Sequence, residues 1–134
     1  MAIITGNISG SSFSEALHFT IPGGGSAITT GYKGSVVIPF NGTITGWTVL
    51  SVDPSNTAGA IVIYVQKASY ANFASSWTDI YGATPPTIAA TSTKGQGHAS
   101  DWTTAVSTGD IFRFNVQSCS SLLTALLVIN MTRT

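Results

Sequence analysis

The sequence predicts an all-β protein. Three observations lead there. Apolar and polar residues alternate with a period of two at 35–40, 60–66 and 111–117, which marks half-buried strands. Turn-forming residues separate the runs: Asn41-Gly42, the 53–59 loop with its Asp, Pro, Asn and Gly, and Ser107-Thr108-Gly109-Asp110. No stretch carries the period of an amphipathic helix. Many short strands without helices pack as two sheets, so the expected architecture is a jelly-roll-like antiparallel β-sandwich with an N-terminal arm.

At 134 residues the chain is expected to be one domain. Residues 1–30 read as an arm, a first strand and a Gly-rich hinge, and residues 31–134 as the sandwich body. In the arm, apolar Ile3, Ile4, Ile8 and Phe13 stand among Gly and Ser, a segment able to order on a partner by adding a strand to a sheet edge. A strand at 16–21 follows, then Pro22-Gly23-Gly24-Gly25-Ser26, the most flexible composition in the chain. In the strand at 35–40, Val36, Ile38 and Phe40 share a face; Pro39 has no N–H to donate, so the strand is an edge or ends there. Asn41-Gly42 predicts a tight hairpin into a strand at 43–52. There Ile44, Gly46, Thr48 and Leu50 are expected on one face, with Trp47 and Val49 on the other. At 60–66, Ile61, Ile63 and Val65 oppose Val62, Tyr64 and Gln66.

Residues 68–101 read as a long ordered excursion with one helical turn at 70–73. Structure resumes at 102–106. At 111–117, Phe112, Phe114 and Val116 face one way, while Arg113 and Asn115 make the other face more polar. The last strand, 122–131, is apolar on both faces, and such a strand must be covered twice. One sandwich covers only one face. Leu122, Leu126, Leu127 and Val128 are therefore the candidate contacts between subunits.

Composition excludes several function classes. Charged residues make up 7% of the chain, against a usual ~25%, and the formal net charge is zero. Lys33, Lys67, Lys94, Arg113 and Arg133 are scattered, which argues against a nucleic-acid partner. A neutral Ser/Thr/Asn/Gly surface suits a protein whose faces are covered by partners. Cys119 is the single cysteine; no intrachain disulfide forms, and no base or cation adjoins the thiol in sequence. No basic segment followed by an apolar one opens the chain, so assembly in a cytoplasm is expected. The apolar run 122–129 is too short for a membrane-spanning helix. Matches to the glycosylation sequon at Asn7, Asn41 and Asn130 read as chance. His18 and His98 stand apart, and His98-Ala99-Ser100-Asp101 alone supplies neither a triad nor a ligand set. No catalytic residue, metal or other cofactor is expected, and a hydrolase is the weakest alternative.

Gly31, Lys33 and Gly34, the run Ile38-Pro39-Phe40 with Gly42-Thr43-Ile44-Thr45-Gly46-Trp47, and Gly59, Ile61-Val62-Ile63, Val65 and Lys67 form a pattern. Trp102 and Gly109-Asp110-Ile111 with Phe114 and Val116 extend it. The pattern resembles a small module recurrent in bacteriophage virion proteins, in tail-fibre ends and in short structural proteins. It covers residues 31–116, and the first 30 residues lie outside it. The resemblance implies a homotrimeric virion component, bound to capsid or tail proteins and without catalytic residues. The chain has no shaft-like segment before its arm, which favours a capsid decoration protein over a tail-fibre tip. The alternative is a receptor-binding tip that recognises a host surface glycan or protein. Tyr70, Asn72, Phe73, Trp77, Asp79 and Tyr81 are the candidate contacts, since sugars stack on aromatics while amides and carboxylates take their hydroxyls. The competing role for these aromatics is to anchor the excursion onto the sandwich. Trp47 and Trp102 are expected in the core.

Overall fold

The computed structural model describes residues 13–134. It contains ten strands: β1 (Phe13–Pro22), β2 (Gly31–Val37), β3 (Gly42–Ser51), β4 (Ala60–Ala68), β5 (Thr78–Asp79), β6 (Thr87–Ile88), β7 (Lys94–His98), β8 (Ala105–Val106), β9 (Ile111–Ser120) and β10 (Thr124–Arg133). The described residues include no helix. Sheet I has the order β1-β10-β3-β7, with β8 also on β3; sheet II has the order β2-β9-β4-β5, with β6 also on β4. Every pairing is antiparallel. β1 pairs with β10, β2 with β9, β3 with β7, and β4 with β5 and β6. This is one long hairpin coiled on itself, the jelly-roll arrangement that the strand pattern predicts.

The core lies between the sheets. From sheet II it receives Ile61, Ile63, Val65, Phe112, Phe114 and Val116, all buried, in the alternation that the sequence showed. From sheet I come Leu17, Ile21, Trp47, Val49, Leu127 and Ile129, also buried. Phe19 reaches across from β1, its ring centroid 4.6 Å from that of Phe114. It fits because position 34 carries no side chain: a Cβ there would lie 2.8 Å from the Phe19 ring. Trp102 is buried and donates its indole N–H to the Thr84 carbonyl at 3.2 Å. Trp47 is buried too, and its Nε1 has no partner among the described residues.

Four sequence expectations change. Residues 13–30, read with the arm, belong to the body. Phe13 opens β1, which pairs along its whole length with β10, and Leu17 and Ile21 are core residues. The Pro22–Ser26 hinge is a tied corner, because Gly23 N–H donates to Leu123 O and Ile28 N–H to Leu122 O. Ile3, Ile4 and Ile8 lie outside the described residues. Asn41-Gly42 does not form a hairpin. β2 and β3 belong to different sheets, and this step carries the chain between them. Asn41 Oδ1 accepts from Thr108 N–H at 2.8 Å and its carbonyl from Thr134 N–H, while a Cβ at Gly42 would lie 2.6 Å from Thr132 O. The faces of β3 switch mid-strand. The register with β10 shifts at Gly46–Asn130 and Ile44–Met131, so Ile44 and Trp47 both point inward around a bulge, leaving Thr48 and Leu50 outside. The chain at 69–76 makes hydrogen-bonded turns rather than a helical segment.

Candidate functional site

Alternation along the strands of sheet II places one residue in two on its outer face. Ser35, Arg113, Gln66 and Asp79 form one cross-strand row, and Tyr32, Asn115 and Tyr64 the next. The excursion after β4 folds back over these rows. It brings Phe73 and Trp77 above Arg113, and Tyr81 onto Tyr64.

Arg113 is the centre of the cluster. Its guanidinium carbon lies 4.2 Å from the Tyr32 ring centroid and 4.2 Å from that of Trp77, so two aromatic rings attract the cation. Arg113 Nε donates to Gln66 Oε1 at 2.7 Å and Nη2 to the Tyr32 hydroxyl at 3.0 Å. Gln66 Nε2 donates in turn to Asp79 Oδ1 at 2.7 Å. Phe73 meets Trp77 edge-on at 5.6 Å. Tyr64 and Tyr81 stack at 4.5 Å. Burial, and then the nearby Asp79 carboxylate, push the Tyr81 phenol up to about 12, so it remains a donor at any physiological pH. Tyr32, Gly34, Ser35, Phe73, Ala74, Trp77 and Arg113 line an open cleft of about 390 Å³. Tyr32 is 58% exposed and Phe73 48%.

Of the six sequence candidates, Phe73, Trp77, Asp79 and Tyr81 come together here. Asn72 does not reach the cleft; its N–H donates to Ser69 O and its carbonyl accepts from Ser75 and Ser76, which shapes the turn. Tyr70, 84% exposed, stands outside the cluster. Trp77 and Tyr81 do anchor the excursion, through Arg113 and Tyr64. Sequence reasoning missed Tyr32, Gln66 and Arg113 as site residues. The alternation had placed Arg113 on a polar face, and that was the available signal.

The outer face of sheet I differs in kind. Its central residues are Ala16, His18 and Thr20 from β1, Leu126, Val128 and Asn130 from β10, and Thr45, Thr48 and Leu50 from β3. Among the described residues, these three strands present no Asp, Glu, Lys or Arg on that face. Lys94, opposite Leu50 on β7, is its first charge. Two of the four proposed subunit contacts lie here, Leu126 and Val128, both half-buried. Leu122 and Leu127 do not: both are fully buried in the chain's own core, because β10 points Ala125, Leu127, Ile129 and Met131 inward. His18 and His98 sit on β1 and β7, at opposite edges of sheet I. Asp101 accepts from Ala83 N–H at 2.7 Å and from the Thr84 hydroxyl at 3.3 Å, and so fixes a loop. The described residues contain no cluster of three or more His, Cys, Asp or Glu able to hold a metal.

No family model matches the chain, and no curated protein matches it. Two solved structures align weakly. The K3 cleaved adhesin domain of Lys-gingipain (Kgp) from Porphyromonas gingivalis w83 is 16% identical with a TM-score of 0.29, over 77% of this chain and 62% of that one. FLHE is 13% identical with a TM-score of 0.26, over 90% of this chain and 95% of that one. The chain thus spans less than two thirds of the adhesin domain's length. Neither likeness carries an argument about function.

Proposed function

We propose that the chain is a non-enzymatic surface protein of a bacteriophage virion, acting as a trimeric capsid decoration protein. One observation supports this above the others: the outer faces of β1, β10 and β3, which among the described residues carry no formal charge, with Leu126 and Val128 at their middle. A face without formal charge buries against a second copy at little desolvation cost, and depletion of charge marks the centre of subunit interfaces. The resemblance of residues 31–116 to virion modules supports the location. The test is placement in purified particles. Labelled protein is expected on the head, in copy numbers that follow the shell lattice. Particles lacking it are expected to adsorb normally and to lose resistance to heat or low salt.

A second reading, a receptor-binding tip, is favoured by a different observation, the open aromatic cleft around Arg113 on sheet II. On that reading, particles lacking the protein fail to adsorb, and Trp77→Ala reproduces the defect with sound heads. Label on the tail alone would reject the decoration role.

A further inference from the structure

The hydrogen bonds of Arg113 leave part of the side chain free. A guanidinium has five N–H donors in a planar fork. One goes from Nε to Gln66 Oε1 and one from Nη2 to the Tyr32 hydroxyl. Among the described residues the other three, two on Nη1 and one on Nη2, have no acceptor. The Tyr32 and Trp77 rings each lie 4.2 Å from the guanidinium carbon and take up part of the space around the cation. The Nη1–Nη2 edge holds two parallel N–H groups, the geometry that takes a carboxylate with two hydrogen bonds.

The cleft that Arg113 lines has a matching chemistry. Among the described residues Arg113 is the sole charged one lining it. Asp79, the carboxylate of the same network, does not line the cleft and is already bound through Oδ1 to Gln66 Nε2. The remaining walls include Tyr32, Phe73 and Trp77. Phe73, half exposed, offers ring surface to a solute that has an apolar face. The volume, about 390 Å³, falls within the range of small-molecule sites, roughly 300–1,000 Å³.

We infer that this cleft binds a sugar carrying a carboxylate, with the carboxylate on the free edge of Arg113 and the sugar ring against Phe73. The inference deepens the receptor-recognition reading and rests on sheet II being a recognition face, though not on the protein's place in the virion. An acidic peptide side chain would satisfy the fork but would leave the aromatic walls without a ring to stack on.

Calorimetric titration of the full chain tests it. The probes are the methyl glycosides of glucuronic acid, N-acetylneuraminic acid and ketodeoxyoctonate, each compared with its methyl ester, and a blocked glutamate peptide. At least one acid is expected to bind about tenfold or more tighter than its ester, the size of a charge-assisted pair of hydrogen bonds. Added salt should weaken it. Arg113→Lys, which keeps the charge and loses the fork, should shrink the acid–ester difference, and Arg113→Gln, which removes the cation, should erase it. Phe73→Ala, in an exposed turn, should leave the melting curve unchanged and weaken acid and ester alike. Equal binding of acid and ester overturns the carboxylate inference while glycan recognition at sheet II stands. Equal affinity for the glutamate peptide overturns the sugar. Absence of binding by all probes at millimolar concentration overturns the inference, and the adsorption assay with Trp77→Ala then judges receptor recognition separately.

Discussion

Asp53 organises the loop between β3 and β4 through a single carboxylate. It accepts from the Ser51 hydroxyl at 3.1 Å, the Thr57 hydroxyl at 2.8 Å, and the N–H groups of Ser55 and Thr57. The Thr57 hydroxyl is the main cause that holds its pKa below the ordinary 3.8, against an opposing push from burial. A carboxyl whose folded pKa is lowered contributes stability above its unfolded pKa and loses it as pH falls through the folded value. Asp53→Asn should therefore lower the melting temperature at pH 7, and the gap to wild type should close as pH drops below 3.8. Thermal melts at stepped pH check this; a gap independent of pH would contradict it. Leu127 makes a plainer case. It is fully buried, so Leu127→Ala should cost about 2–5 kcal/mol in a urea titration, with no separate effect on subunit association.

At the scale of the element, strict alternation was legible wherever a strand runs straight. Ile61, Ile63 and Val65, like Phe112, Phe114 and Val116, could be assigned to the core from sequence alone. It failed on β3, because the extra residue around Thr45 inverts the phase between Ile44 and Trp47, and no local residue type announces the inversion. The Asn41-Gly42 step failed for another reason. A hairpin and a crossing between sheets both need small polar residues, and only the distant partners Thr108, Thr132 and Thr134 decide between them. Close packing of elements gives a further prediction. A Cβ on Gly95 of β7 would lie 2.0 Å from the Thr87 backbone carbonyl, so Gly95→Ala must push β6 and β7 apart. A loss of about 1–3 kcal/mol is expected, read by chemical denaturation. Removing residues 1–22 would take β1 and its core residues Leu17 and Ile21 with it. That truncation is expected to give unfolded or aggregated protein by circular dichroism and gel filtration.

For the whole molecule, half of the aromatic cluster on sheet II could be read from the chain. Phe73, Trp77, Asp79 and Tyr81 cluster in sequence; Tyr32 and Arg113 are 81 residues apart and meet only because β9 lies beside β2. A pairing set by the coiling of the hairpin leaves no local trace. The core face of β10 was not legible either, since both of its faces are apolar and only the folded chain shows which one it keeps. Val128→Asp places a charge at the middle of the outer face of sheet I, where the folded chain itself does not need the valine buried. The expected outcome is a monomer by light scattering at micromolar concentration, with a melting temperature near that of the wild type. A wild-type chain that is itself monomeric would end the proposal of self-association through this face.

The position of β10 has a consequence for synthesis. It leaves the ribosome after the other nine strands, yet it lies between β1 and β3 and is hydrogen-bonded to both. Until it emerges, β1 has no neighbour in sheet I and the rest of that sheet stands open. Pairings that span so much of the chain form slowly, and unpaired edges are where nascent chains associate wrongly. A product broken off before residue 124 would thus lack the strand that joins the two parts of sheet I. It would also lack the Leu126–Val128 patch, so a fragment could neither close its own sandwich nor enter an assembly built on that patch.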